Sequence, residues 1–173
     1  MSWTKALPIL LLTPALAFAQ AKGPSDPQIA GIVVAANQID IDAGKLAKSQ
    51  SKNKEVQGFA QQMITDHSAV NKQAGALVQK LGVKPEDSDT SKSLKQAAAE
   101  TTKKLKGLKG EPFDKAYVDN EVAFHQQVLD AIDKVLIPSA QNKELKELIT
   151  KVRPAIATHL EHAKHLQASL GKK

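Results

Sequence analysis

The sequence predicts an all-α fold, a bundle of four long helices with an extra helical segment in the middle connection, on three observations. Aromatic residues make up only 3% of the chain while Ala, Lys, Gln and Leu recur throughout, a composition that favours helices over sheets rich in β-branched and aromatic residues. Four long stretches repeat apolar residues at helical spacing, and the breaks between them carry Pro, Gly, Asn and Ser, the residues that start and stop helices. At 173 residues the chain is long enough for one domain with its own core and short for two.

The first segment stands apart from the fold. Lys5, the apolar run ALPILLLTPALA and the small-x-small site Ala17-Phe18-Ala19 have the order of a secretory signal over residues 1–19, cleaved near Ala19. Ala19-Gln20-Ala21 offers a second cleavage site two residues on. Pro8 and Pro14 interrupt the apolar run, which falls short of the about 20 residues a membrane helix needs. The mature chain is therefore expected to be soluble, periplasmic and without a transmembrane segment, with a linker over 20–25, the bundle domain over 26–170 and a short tail over 171–173.

Asp26 followed by Pro27 reads as an N-cap and a first-turn proline opening helix one, which runs to about Gln50 on a stripe of Ile29, Ile32, Val33, Ala36, Ile39, Ala43 and Leu46. Asn53 caps helix two, which continues to Leu81 and stops at Gly82, with Val56, Phe59, Met63, Val70 and Leu77 on its stripe. The connection over 83–111 contains an amphipathic segment from about Asp89 to Lys109. The next bundle helix runs from about Pro112 to Leu136, ending before Pro138, with Val118, Val128, Ile132 and Val135 inward. The last, from about Gln141 to Leu170, contains Pro154, which removes one backbone donor and predicts a kink. Short turns make the first and last pairs antiparallel hairpins. A connector spanning the bundle length makes the second and third bundle helices parallel, which is ferritin-like connectivity; a plain up-down array with an extra helix is the alternative.

Several function classes are disfavoured. The formal charge is +6, falling to +5 when Lys5 leaves with the signal, but Lys residues are scattered among Asp and Glu with no basic block or interleaved aromatics, which argues against nucleic acid. The basic balance leaves peripheral contact with anionic envelope components open, and no feature specifies an oligomeric state. Cysteine is absent, which removes disulfides, a lipid-anchor thiol and a cysteine nucleophile. No Gly-x-Ser-x-Gly elbow or phosphate-binding glycine loop is present.

Polar residues interrupt the apolar stripes. His67, His125 and His159 each occupy a core face on a different helix, the first two close to the helix midpoint and His159 about one turn past its own. Acids accompany them: Asp66 beside His67, Glu121 one turn before His125, and Asp40 at the stripe edge of helix one. Tyr117, Glu121 and His125 share one helix face at successive fours, while His162 falls at a stripe edge and His165 outside. Unpartnered burial of such groups costs several kcal/mol each, on the order of 2–7 for a neutral polar group, so two readings stand. One is a hydrogen-bonded network fixing helix register. The other is a site for one transition metal ion, Zn, Cu, Fe or Mn, with His67, His125, His159, Glu121, Asp66 and Asp40 as candidate ligands. The Glu-x-x-His pairs of ferritin-type di-iron centres are absent, because Glu121 and His125 are four apart and Glu161 directly precedes His162.

The segments EVQGFAQQMITDHSAVN, FDKAYVDNEVAFHQQVLD and RPAIATHLEHAKHL, in that order, resemble the bacterial domain-of-unknown-function family numbered 4142 over about residues 26–170. The motifs carrying the likeness are Asp66-His67 with Asn71, Phe113-Asp114 with Tyr117 and His125, and Pro154 with His159-Leu160. The family commonly has Glu where this chain has the shorter Asp40. The resemblance implies an exported ferritin-like four-helix bundle of the cell envelope with no established reaction, and it marks Asp66, His67, Asp114, Tyr117, His125 and His159 as characteristic positions. Members are often labelled outer membrane proteins, a label without support here from barrel-type strands or a lipid anchor.

The leading expectation is a non-enzymatic periplasmic binding or envelope stress-protection protein with a buried His/Asp/Glu centre, around which Asp114, Tyr117 and His162 extend a polar network. A metal-dependent oxidoreductase using His67, His125 and His159, with Glu121 as a fourth ligand or proton acceptor, is the second reading. A basic envelope-interaction module is the third.

Overall fold

The computed structural model describes residues 23–172, so the predicted signal over residues 1–19 lies outside the described residues, as does the first part of the linker. The described chain is helical: α1 (Asp26–Gln50), α2 (Lys54–Lys80), α3 (Asp89–Lys106), α4 (Gly110–Ala131) and α5 (Lys143–Leu170). Beyond Ala131, α4 continues through a π turn, Ile132–Leu136, and a last α turn, Ile137–Ser139.

The helix starts follow from local side-chain chemistry. Ser25, rather than Asp26, is the N-cap of α1, and it forms a reciprocal capping box with Gln28. The Asp26 carboxylate is freed to accept hydrogen bonds from the backbone N–H groups of Gln141 and Asn142, both at 2.9 Å, tying the start of α1 to the turn before α5. Asn53 caps α2 as expected, accepting from Glu55 and Val56, and Asn142 caps α5. Gly82 follows α2 at φ 63°, the left-handed conformation that a glycine adopts without Cβ strain.

The end of α4 differs from expectation. The helix does not stop before Pro138; the proline sits in the last short α turn, where a missing N–H is tolerated. Bonding to the fifth preceding carbonyl in the π turn adds a residue per turn and rotates the buried face. Leu136 is thereby buried, while Val135, expected on the inward stripe, is 40% exposed. In α5 the helix runs through Pro154, which lies on the exposed side with Thr150, so water reaches the carbonyl that proline leaves without a donor. The connector helix α3 ends at Lys106, about a turn short of Lys109, with Gly107 at its C-cap.

Two apolar clusters mark the two ends of the bundle. One unites Ala47, Val56, Phe59, Phe113 and Leu166, from the end of α1, the starts of α2 and α4 and the end of α5. The other unites Ile29, Leu129, Leu136, Leu145 and Ile149, from the start of α1, the end of α4 and the start of α5. Hence α1 and α5 run one way, and α2 and α4 the other. The long crossover is made by α3 along the outside. At its beginning the Glu86 N–H donates to the Pro27 carbonyl at 2.9 Å, and at its end the carbonyls of Leu105 and Leu108 accept from Gln50. This is the ferritin-like connectivity. It needs two glycines: a Cβ on Gly31 would overlap the Glu86 carbonyl, and one on Gly44 would lie 2.9 Å from the Ala60 carbonyl. No helix among the described residues is long and apolar enough to cross a membrane.

Candidate metal centre

A polar layer separates the two apolar clusters, and every bundle helix contributes to it. Asp40 comes from α1, His67 from α2, Tyr117, Glu121 and His125 from α4, and His159 from α5; none is more than 3% exposed. Helical spacing explains the set on α4, since Tyr117, Glu121 and His125 recur at intervals of four and stack along one face.

The three imidazoles form a nearly equilateral triangle. Ring centroids are 5.7 Å apart for His67 and His125, 5.3 Å for His67 and His159, and 5.5 Å for His125 and His159. The ring planes meet at 52° to 85°, so none of the three pairs is stacked.

Hydrogen bonds on the outer side of each ring fix its tautomer. Asn37 Nδ2 donates to the Val33 carbonyl at 2.9 Å, so the amide oxygen is what faces His67, and His67 Nδ1–H must donate to it at 2.7 Å. His125 Nδ1–H donates to the Glu121 carbonyl at 2.9 Å, which can only accept. His159 Nε2–H donates to the Asp66 carboxylate at 2.9 Å. In the neutral state each ring therefore keeps one unprotonated nitrogen: Nε2 of His67, Nε2 of His125 and Nδ1 of His159. All three are buried without a hydrogen-bond partner. One ligand atom from each ring lies within 4.8 Å of the others. An outer acceptor that orients a histidine and an inner lone pair left free is the arrangement that metal-bound imidazoles adopt.

The protonation equilibria agree with this geometry. Burial lowers His67 to a pKa of about 4, opposed by the Asp40 carboxylate and assisted by the neighbouring His125 and His159 rings. Burial also lowers His159, although its hydrogen bond to Asp66 favours the charged form. Both rings are neutral near pH 7, as coordination requires.

The acidic half of the layer is differently arranged. Asp40 Oδ2 is 3.1 Å from His67 Nε2 and 3.5 Å from His125 Nε2. Both of those nitrogens are lone-pair atoms in the tautomers above, so the approaches become attractive only with a proton or cation between them. Asp40 Oδ1, both oxygens of Glu121 and the Tyr117 hydroxyl are buried without partners. Burial, and then the charge of Asp40, holds Glu121 well above the usual carboxylate range; burial with Glu121 and Asp40 does the same to the Tyr117 phenol. Asp40, Glu121 and His125 form a second set of ligand atoms within 4.8 Å, joined to the imidazole set through His125.

The other residues singled out in the sequence lie outside this centre. Asp66 occupies the outer side of His159 with its side chain 42% exposed. Asp114 is buried one turn before Tyr117, with Oδ1 unpartnered. His162 is exposed; its Nδ1 lies 3.1 Å from Gln62 Oε1 and its ring packs edge-on against Phe59. His165 is exposed. Asn37, which sets the His67 tautomer, was not singled out. Its signal was available, since it lies four after Val33 and three before Asp40 on the inward side of helix one.

A family model described as a domain of unknown function, DUF4142, matches residues 12–166. The chain belongs to the DUF4142 family. That match covers the segments in which the resemblance was read, and the family description assigns the DUF4142 protein no reaction. No curated protein matches it. Its fold is similar to the crystal structure of a Streptomyces coelicolor protein described as secreted and as DUF305, at a TM-score of 0.69 and 12% identity, covering 83% of this chain and 92% of that one. At such identity the likeness extends to the fold of the DUF4142 chain alone.

Proposed function

We propose that this DUF4142 protein is an exported transition-metal-binding protein of the cell envelope, in which His67, His125 and His159 hold one divalent ion and Asp40 supplies a fourth ligand. One observation carries the reading: three buried imidazoles on three helices each donate their N–H outward, leaving three lone pairs with no hydrogen-bond partner in one layer. A purely structural network would have used those nitrogens, because an unsatisfied buried acceptor costs about 1–3 kcal/mol. Charge supports the same reading. The Asp40 carboxylate faces two lone-pair nitrogens, and a cation among them turns those repulsive approaches into ligation. Imidazole nitrogen with carboxylate oxygen suits Zn, Cu, Fe or Mn. Export is supported by the signal-like residues 1–19, and the similar fold belongs to a protein described as secreted.

The test is elemental analysis of mature protein purified without a histidine tag and incubated with each metal. The expected result is about one equivalent per chain with a raised melting temperature, since an ion that binds only the folded form stabilises it. His125→Ala is expected to lose both. Less than about 0.1 equivalent of every metal, with no thermal shift, would falsify the proposal.

A further inference from the structure

An apolar cavity of about 80 Å³ abuts the imidazole layer. Asp40, His67, His125 and Asn37 form its polar side, Thr90 and Gln127 lie where it meets the groove along α3, and most of the remaining wall is hydrocarbon, including Ile32, Val128, Ile149 and Val152. A larger groove, of about 570 Å³, lies between α3 and the outer faces of α1 and α4. The two share Thr90, Leu94, Phe124 and Gln127 as lining residues. Leu94 belongs to the crossover helix and Phe124 directly precedes His125, so both half-buried side chains stand between solvent and the inner space.

The size and lining of the inner space restrict what it can hold. An apolar cavity of about 150 Å³ binds benzene and stays free of water; one of about half that volume admits a diatomic molecule and excludes an aromatic ring. Its lining holds no Lys or Arg and includes the Asp40 carboxylate, so it does not attract an anion. A chain folded only to bury metal ligands would fill this space with side chains, because interiors pack at crystal-like density and a void loses van der Waals contacts.

Taken with the proposed centre, on which this inference rests, the geometry points to a binding site for a small neutral diatomic molecule, of the dioxygen or nitric oxide type, at a coordination position that opens into the cavity. The ligand enters beneath α3 past Leu94 and Phe124. It donates a lone pair to the metal, and the largely apolar wall accommodates an uncharged ligand. The crossover helix thereby does more than connect two hairpins: it covers the route to the metal.

Two probes test this together, xenon on crystals of the protein and nitric oxide on anaerobic, ferrous-loaded protein. Xenon is expected between Ile32, Val128 and Ile149, and nitric oxide is expected to give the high-spin iron–nitrosyl EPR signal. Val128→Phe and Val152→Phe, which fill the space from α4 and from α5, are expected to retain iron and lose xenon and the nitrosyl. Leu94→Ala is expected to speed nitrosyl formation several-fold with iron content unchanged. Protein that takes up iron but neither xenon nor nitric oxide overturns this inference alone. Protein that takes up xenon but no metal overturns the proposed function and this inference with it. A nitrosyl that survives in whichever filled variant still binds iron shows that the ligand does not use the cavity.

Discussion

The two halves of the central layer are built on opposite principles. In the imidazole half, every ring has its donor nitrogen engaged by an oxygen on the far side, from Asn37, from the Glu121 backbone or from Asp66. In the acidic half, Asp40 Oδ1, both Glu121 oxygens and the Tyr117 hydroxyl make no well-formed hydrogen bond, although His125 Nδ1 approaches Glu121 Oε2 to 3.5 Å. Both halves are equally buried, so the contrast is one of preparation. The rings are oriented before anything binds, and burial favours the neutral form of His67 and His159, whereas the acids carry a desolvation cost that only a proton or a cation relieves. The difference assigns orientation to one half and charge compensation to the other, and each assignment can be broken separately.

Metal addition has the largest expected effect. At a free metal concentration about 1,000 times Kd, binding contributes about 4 kcal/mol. For a domain of this size that corresponds to a rise of roughly 8–16 °C in Tm. Calorimetry with and without metal measures it. Glu121→Gln, which keeps the three rings, is expected to retain most of the shift, while His125→Ala abolishes it. Equal shifts in wild type and His125→Ala would show that the ion sits elsewhere.

Titration separates the halves in metal-free protein, and the two signs are opposite. His67 falls from 6.5 in the unfolded chain to about 4 when folded. Between those values only the unfolded chain takes up the proton, so this contribution is complete above pH 6.5 and is lost as the pH falls toward 4. Its full size is on the order of 3 kcal/mol. Glu121 is raised, so its contribution is complete below the ordinary value of 4.5 and is lost as pH climbs toward its folded value. Urea unfolding at a series of pH values tests both. His67→Gln is expected to flatten the acid side and Glu121→Gln the alkaline side; a wild-type profile already flat on both sides contradicts the burial of these groups.

How far the sequence exposed this arrangement depended on the kind of signal involved. The helices were legible because their apolar spacing is long and regular, and the three histidines because each replaces hydrocarbon on a stripe within about a turn of the helix midpoint. What stayed hidden is carried by the backbone. A π turn changes hydrogen bonding and leaves no composition mark, so regular helical spacing places Val135 on the inward stripe, whereas the register shift turns Leu136 inward instead. Ser25 and Asp26 are both good caps, and the Asp-Pro pair points to the second, whereas the Ser25–Gln28 capping box makes the first the cap. Gly31 and Gly44 carry no sign in the sequence of the close passage of another segment that each permits. Asn37 was obscured because asparagine on a helix face is common and its use depends on a ring from another helix.

Asn37 gives the next smaller effect. Asn37→Ala leaves the His67 Nδ1–H without its acceptor, at a cost of about 1–3 kcal/mol in the metal-free protein. It also releases the ring to adopt the other tautomer, and losing such an outer partner typically reduces metal affinity about 10–100-fold. Asn37→Asp keeps an acceptor and is expected to restore affinity. Chemical denaturation and competitive metal titration read the two effects separately, and a lowered stability with unaltered affinity would place Asn37 outside the orientation of the centre.

The smallest effect belongs to Tyr117. Its hydroxyl is fully buried, has no hydrogen-bond partner and lies among groups that raise its pKa, while its ring stacks on Phe113 at 6.3 Å. Tyr117→Phe keeps the ring packing and deletes only the unsatisfied hydroxyl, so metal-free protein is expected to be unchanged or more stable by up to about 1 kcal/mol. A loss of more than about 1 kcal/mol would mean that the hydroxyl is hydrogen-bonded in solution, Glu121 being the nearest candidate by its influence on the phenol. The acidic half would then be a satisfied network like the imidazole half, and the contrast between them would disappear. With metal bound, an unchanged affinity in Tyr117→Phe confines ligation to the imidazoles and Asp40, whereas a reduced one extends the centre toward Glu121 and the phenol.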